Sequence, residues 1–194
     1  MTLDATALHP LLFALVGFFG ASEVVLAIRR SARRERARSE DRGSVHLLRI
    51  VIALSLSAAL AFSFAPIGAI RMATGRVQLL ALALLVLGLV VRWSAILTLG
   101  RYFTVEVAIQ ADHRLVEHGL YRHVRHPSYS GLLLAFLGLG FFLGNWFSLI
   151  LVFVPNLLAL AHRIGVEERA LIAEMGGVYE EYRRRTKRLV PGIV

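Results

Sequence analysis

The chain has 194 residues, of which 57% are hydrophobic, with a formal net charge of +9 and no cysteine. Soluble domains are usually about 45–50% apolar, so this composition favours a single-domain integral-membrane protein. The lack of cysteine excludes disulfide bonds, thiolate metal sites and a cysteine nucleophile. Because the basic residues flank apolar segments, membrane topology explains the charge better than nucleic-acid binding, and no nucleic-acid partner is expected.

Five apolar segments follow one another along the chain, at about residues 10–28, 47–65, 77–99, 128–143 and 146–160. Each of the first three is long enough to cross a hydrocarbon core of about 30 Å at about 1.5 Å per residue. A Gly-Asn pair predicts a tight turn between the last two, which we expect to form a helical hairpin. These two segments are short, and whether both cross fully stays open. The predicted fold class is an all-α polytopic membrane protein with about five transmembrane helices.

A polar tail follows the fifth segment, and its residues 162–175 are predicted to be helical until a Gly-Gly pair interrupts them. The pattern divides the chain into two parts. Residues 1–99 hold three transmembrane helices and a basic loop at residues 29–46. Residues 100–194 hold a loop, the helical hairpin and the C-terminal tail.

Basic residues are distributed unevenly around these segments. If the loop at 29–46, the loop at 100–127 and the tail share one side, that side holds seven, four and seven basic residues, 18 in all. The other side holds Arg71 and Arg76. Because basic loops stay in the cytoplasm, we expect the N-terminus outside and the C-terminus in the cytoplasm. The arginine-rich, lysine-poor composition favours a bacterial inner membrane.

The loop before the fourth segment carries an unusual set of polar residues. Five of the seven histidines lie in this half of the chain, but their spacing is loose and joins no carboxylate pattern, so no metal site is predicted. Pro127 suits the first turn of a helix, and Ser128 and Tyr129 follow where free N–H groups favour an anionic ligand group. Taken singly, Arg125 and His126 are better explained as juxtamembrane charges, and Tyr129 as an interface aromatic residue.

Arg163 and Glu167 lie just past the fifth segment and are i,i+4 neighbours on the predicted tail helix. They fit a surface ion pair, which stabilises a helix by about 0.3–0.5 kcal/mol. At the bilayer boundary, however, an arginine can also clamp a carboxylate or phosphate, and a glutamate can receive a cationic group. The residue pattern leaves both interpretations open.

Together, these residues resemble the isoprenylcysteine carboxyl methyltransferase family and its prokaryotic relatives over about residues 103–191. The resemblance rests on the order and spacing of Leu115, Val116, Gly119, Tyr121, Arg125, His126, Pro127, Ser128, Tyr129, Gly131, Asn145, Glu167, Glu168, Leu171, Tyr179, Tyr182 and Pro191. The Arg-His-Pro-Ser-Tyr block with its downstream Glu-Glu pair is the most specific part. The first three segments match the family only as hydrophobic stretches.

The resemblance implies an integral-membrane methyltransferase that uses S-adenosyl-L-methionine, with residues 100–194 as the cofactor-binding catalytic region. Its acceptor would be a lipophilic small molecule or a lipidated group, most simply a carboxylate such as that of an isoprenylcysteine, reached among membrane lipids. The resemblance assigns Arg163 to the acceptor. It assigns cofactor contacts to His113, Arg114, Leu115, Val116, Tyr121, His126, Pro127, Ser128, Tyr129 and Glu167.

A methyltransferase of this kind requires the region around the start of the fourth helix and the polar tail to fold together. Tyr129 and Glu167 should then lie in one pocket. Two other functions stay open: an NADPH-dependent membrane reductase of the steroid-reductase type, and a non-catalytic membrane accessory protein. Whether the acceptor atom is oxygen, nitrogen or sulfur stays open too. For an amine or thiol, Glu168 or His126 is a candidate base.

Overall fold

The computed structural model describes residues 10–17, 20–21, 43–70, 75–100 and 115–192, together with the backbone of two short strands. The predicted first segment is helical at the described residues 10–17 and 20–21. The remainder of that segment lies outside the described residues, as do most of the arginine-rich loop, His113 and Arg114.

Helices account for most of the described chain. The helices are α1 (Gly43–Ser63), α2 (Gly75–Leu99), α3 (Pro127–Phe142), α4 (Trp146–Met175) and α5 (Gly177–Arg185), with a short 3-10 helix at Gly119–Arg122. A two-residue antiparallel ladder joins strand β1 (Arg38–Ser39) to strand β2 (Ala108–Ile109). The predicted all-α class is therefore confirmed for the described chain apart from this small ladder.

Three helices, α1, α2 and α4, are long and apolar enough to cross a membrane, with 21, 25 and 30 residues. Helix α3 is apolar but has only 16 residues, which is about 24 Å of helix and short of a full hydrocarbon core. The described chain is thus that of a helical, polytopic membrane protein. The expected total of about five spans stays a prediction, because it depends on the first segment and on α3.

The predicted bounds of the second, third and fourth segments agree with α1, α2 and α3 to within a few residues. The fifth segment and the tail helix were predicted as two elements, and this was wrong, since they form one continuous helix, α4. Pro155 lies inside α4 without ending it. One turn is reinforced by Asn156, whose side-chain amide donates to the Val152 carbonyl at 2.8 Å and to Ser55 Oγ of α1 at 2.7 Å.

Helices α2 and α3 pack so closely that their backbones touch. A Cβ atom added at Gly131 would lie 2.5 Å from the Arg92 nitrogen, and one at Gly88 would lie 2.4 Å from the Ala135 nitrogen. Gly138 meets α2 in the same way, at Leu85. Small residues that admit such backbone contact are the usual means of helix association where no hydrophobic driving force exists. This contact fixes the start of α3 against the end of α2.

The hairpin turn at the opposite end of α3 is confirmed. Asn145 is buried and caps α4, because its Oδ1 accepts hydrogen bonds from the backbone N–H groups of Phe147 at 2.9 Å and Ser148 at 3.4 Å. Its amide nitrogen donates to the Ile67 carbonyl at 2.9 Å in the connector after α1. One side chain therefore closes the turn and ties it to the preceding loop.

We predict that Gly131→Ala destabilises the protein, because the added Cβ would collide with backbone atoms of α2 that cannot rotate away. The expected loss is roughly 1–3 kcal/mol, the usual cost of overpacking, seen as a lower melting temperature in detergent. Gly165→Ala in α4 is the matched control, since its Cβ would meet only the Arg169 side chain at 3.6 Å. An unchanged melting temperature for Gly131→Ala would refute the backbone contact.

Candidate active site

The C-terminal tail folds back across the start of α3. Residues 186–189, which we call the strap, run beside the chain that leads into this helix. The Arg125 N–H donates to the Lys187 carbonyl at 2.7 Å. The His126 N–H donates to the Arg188 carbonyl at 3.0 Å. Carbonyl groups of the strap thus accept hydrogen bonds from the two backbone N–H groups just before α3, as a neighbouring strand would in a sheet.

A buried carboxylate fixes the strap to α4. The side chain of Glu168 is only 4% exposed, and its Oε1 accepts a hydrogen bond from Arg125 Nε at 2.8 Å. Its Oε2 accepts from Arg188 Nε at 3.2 Å and Nη2 at 3.0 Å. Arg125 also donates to the carbonyls of Arg183 and Thr186. Both carboxylate oxygens of Glu168 are therefore engaged by arginine.

Tyr129, His126 and Glu167 form a second layer beside Glu168. The Tyr129 hydroxyl donates to Glu167 Oε2 at 2.9 Å, and its ring stacks on that of His126 at 5.6 Å between centroids. The expected proximity of Tyr129 and Glu167 is thus confirmed. His126 lies between the two glutamates, with Nδ1 4.0 Å from Glu167 Oε2 and Nε2 3.5 Å from Glu168 Oε1. Nε2 has no well-aligned hydrogen-bond partner among the described residues.

Arg163 completes this cluster from the preceding turn of α4. Its side chain is almost fully buried, and its Nη1 donates to the Ser44 hydroxyl in the first turn of α1 at 2.6 Å. The guanidinium also lies within hydrogen-bonding reach of the Tyr129 hydroxyl. Arg163 is therefore not part of an exposed surface ion pair. It is a buried cation whose guanidinium group is hydrogen-bonded to α1 through Ser44.

Arg92 supports the start of α3 from α2. It is buried, and its Nη1 donates to the Ser128 hydroxyl at 3.0 Å and to the Ser128 carbonyl at 3.4 Å. The sequence places Arg92 near the end of an apolar segment, where a long side chain is expected to reach toward the membrane surface. Instead it lies inside the bundle and anchors Ser128.

Three tyrosines brace the outer side of the site. The Tyr121 hydroxyl donates to the Ala95 carbonyl of α2 at 3.4 Å, and the Tyr182 hydroxyl of α5 donates to the Tyr121 carbonyl at 2.7 Å. The Tyr179 hydroxyl is buried without a hydrogen-bond partner among the described residues. Burial, which disfavours the charged phenolate, raises the pKa of all three side chains above the ordinary value.

The structure brings together most of the residues that the resemblance assigns to the site. His126, Pro127, Ser128, Tyr129, Arg163 and Glu167 lie at one end of the bundle, with Tyr121 beside them. Leu115 and Val116 are half-buried, and their role stays a prediction. His113 and Arg114 lie outside the described residues. In the described ranges, no group of three or more His, Cys, Asp or Glu side chains could hold a metal ion.

The sequence did not reveal three participants in this region. Ser44 and Arg92 come from helices outside the region over which the sequence analysis found the resemblance, and Arg188 is one of several basic residues in the tail. Nothing in the local sequence indicates that an arginine in an apolar segment and a serine in the first turn of another helix reach the same site. Their contacts become visible only in the packed structure.

The fold and the cluster define a helical membrane protein with a buried polar site at one end of its bundle. Residues 80–173 match the family model of isoprenylcysteine carboxyl methyltransferases. The matched region includes most of α2, all of α3 and nearly all of α4.

The chain is also similar to curated proteins. The chain is 38% identical over 116 residues to the protein-S-isoprenylcysteine O-methyltransferase of Schizosaccharomyces pombe, covering 59% of this chain and 49% of the relative. It is 38% identical over 112 residues to protein-S-isoprenylcysteine O-methyltransferase B of Arabidopsis thaliana, covering 57% of each. The chain therefore spans about half the length of these curated relatives.

A solved structure shares the fold. The eukaryotic intramembrane Ras methyltransferase ICMT superposes with a TM-score of 0.61 at 27% sequence identity. The superposition covers 75% of this chain and 52% of that chain. The similarity therefore extends beyond the region matched by the family model.

We predict that the protein loses stability as the pH rises above about 10. Tyr121, Tyr179 and Tyr182 keep their protons in the folded state above the ordinary pKa of 10.0, whereas the unfolded chain loses them. Since the folded state then binds more protons, the free energy of unfolding falls with rising pH. Melting temperatures between pH 8 and 12 and tyrosinate absorbance would test this. Titration of these three tyrosines near pH 10 in the folded protein would contradict it.

Proposed function

We propose that the chain is an integral-membrane methyltransferase that uses S-adenosyl-L-methionine and methylates a lipophilic acceptor, most simply the carboxylate of an isoprenylcysteine-like group. The observation that carries the proposal is the cluster of Tyr129, Glu167, His126 and Arg163 at one end of the bundle. This cluster places an anion and a cation side by side near the end of apolar helices. It lies in the part of the chain that matches the family.

The described residues fit this cofactor, which carries an ammonium and a sulfonium group as well as polar adenosine atoms. Glu168 is neutralised by two arginines, but the Glu167 side chain accepts from a neutral hydroxyl and remains 28% exposed. Glu167 can therefore receive a cationic group. The unsatisfied His126 Nε2 and Tyr179 hydroxyl are buried polar atoms that a polar ligand could satisfy.

When bound, S-adenosyl-L-methionine supplies an electrophilic methyl group on its sulfonium. A carboxylate acceptor is already ionised at neutral pH, because an ordinary carboxyl pKa is about 4, and it needs no general base. We assign the orientation of such a carboxylate to Arg163, whose Nη1 donates to the Ser44 hydroxyl. The chain's contribution is positioning and exclusion of water from a buried site.

The arrangement of Glu168 argues against its use as the base that an amine or a thiol acceptor would require. A nitrogen or sulfur acceptor would require a base to remove its proton. Glu168 was a candidate for that role, but both of its oxygens accept hydrogen bonds from arginine, at 2.8 Å from Arg125 and 3.0 Å from Arg188. A carboxylate held in this way is a poor proton acceptor.

We extend the proposal to topology. Residues 1–99 form three transmembrane helices with the basic loop at 29–46, and residues 100–194 form the cofactor-binding catalytic region. The site faces the cytoplasm, with the N-terminus outside and a bacterial inner membrane as location. The basic α5 and strap beside the site support this orientation, since basic segments stay in the cytoplasm.

The first test is ligand binding by the purified protein in detergent. We predict that S-adenosylhomocysteine raises the melting temperature, because a ligand that binds only the folded state stabilises it. NADPH at the same concentration should leave it unchanged. A shift with NADPH alone would instead favour a reductase, and the absence of a shift with either ligand would favour an accessory protein.

The second test separates cofactor and acceptor contacts. Glu167→Gln keeps an acceptor for Tyr129 but removes the charge, and should weaken S-adenosylhomocysteine binding by about tenfold or more. Glu174→Gln, an exposed position on the same helix, is the control and should bind as the wild type does. Arg163→Lys keeps the charge but loses the fork, and should lower turnover while sparing S-adenosylhomocysteine binding. Loss of that binding in Arg163→Lys would make the role assignment wrong.

A further inference from the structure

The strap is attached to the site by two kinds of contact. Its backbone pairs with the chain before α3, where Val124 and Lys187 form a parallel bridge and the Lys187 N–H donates to the His123 carbonyl at 3.2 Å. Side chains hold the strap as well: Arg188 pairs with Glu168, Arg125 donates to the Thr186 carbonyl, and the Ser130 hydroxyl donates to the Leu189 carbonyl. The strap follows the end of α5, so these contacts connect the last part of the described chain to the start of α3.

The two arginines that neutralise Glu168 are not equivalent. Arg125 is buried and also donates to the backbone carbonyls of Arg183 and Thr186, which makes it part of the packed structure. The side chain of Arg188 is 47% exposed, and its only described partner among the acidic residues is Glu168. Water therefore reaches the Arg188 side of this contact, whereas Arg125 is enclosed by the protein.

Arg188 is connected to His126 by two short routes. Its carbonyl accepts the His126 N–H at 3.0 Å, and its side chain holds Glu168, whose Oε1 lies 3.5 Å from His126 Nε2. The His126 ring stacks on Tyr129, which donates to Glu167. A change at Arg188 thus alters both the backbone and the ring environment of His126.

We propose that Arg188 is a positioning residue, which fastens the strap to the buried Glu168 and so fixes the orientation of His126 in the cofactor site. Arg188 acts on ligand affinity through His126 and Glu168. The inference rests on the proposed function, since it assigns the affected ligand to the adenosyl cofactor class.

The test compares Arg188→Gln with Arg184→Gln, an exposed arginine of α5 that pairs with Glu181 at 3.6 Å. Each variant removes one positive charge from an arginine near the C-terminal end of the described chain. Arg188→Gln should weaken S-adenosylhomocysteine binding by about tenfold, the loss expected of a charge-assisted hydrogen bond. Arg184→Gln should bind as the wild type does. Arg188→Lys, which keeps the charge, should recover most of the affinity.

Hydrogen exchange provides a readout that does not depend on any ligand. The amides of Arg125 and His126 donate to strap carbonyls, so they should exchange faster in Arg188→Gln and at the wild-type rate in Arg184→Gln. Unchanged exchange in Arg188→Gln, or faster exchange with wild-type affinity, would overturn the proposal. Failure of the wild type to bind S-adenosylhomocysteine would instead overturn the proposed function, while exchange would still decide whether Arg188 fastens the strap.

Discussion

A carboxylate buried at the end of a helical bundle must be neutralised where it lies, because removing its partner leaves an uncompensated charge that costs on the order of 3–5 kcal/mol. Glu168 imposes this requirement on three parts of the chain at once. It comes from α4, one arginine comes from the start of α3, and the other comes from the strap. The geometry of the candidate site follows, since His126 sits beside this carboxylate and Tyr129 stacks on His126.

The continuity of α4 makes this arrangement possible. The helix is capped at one end by Asn145 and runs for 30 residues to Met175, so it carries Arg163, Glu167 and Glu168 beyond its apolar part. The sequence predicted the apolar part well but ended the helix near Leu160, where hydropathy falls. Hydropathy reports the solvent that surrounds a segment, whereas backbone hydrogen bonds decide where a helix ends. Pro155 lies inside α4 without ending it.

Much of the candidate site could be predicted from the order and spacing of motif residues, including the proximity of Tyr129 and Glu167. The contacts of Ser44, Arg92 and Arg188 could not. Each joins residues far apart in the chain: Ser44 with Arg163, Arg92 with Ser128, and Arg188 with Glu168. A single sequence shows that a charge is present, but its partner depends on how helices pack. Arg92 illustrates this, because its position alone favours the membrane surface while packing against α3 buries it.

The backbone contact of α2 with α3 has a consequence for where the helical bundle can widen. At Gly88 and Gly131 the main chains of the two helices are in contact. Movement of one helix against the other would therefore bring main-chain atoms into collision. Helices α1 and α4 are joined through side chains instead, such as the hydrogen bond between Ser55 and Asn156. A side chain can move to another rotamer, whereas a main-chain contact can change only if the helix itself moves. The contact between α1 and α4 can therefore loosen by rotation of side chains, whereas the contact between α2 and α3 cannot.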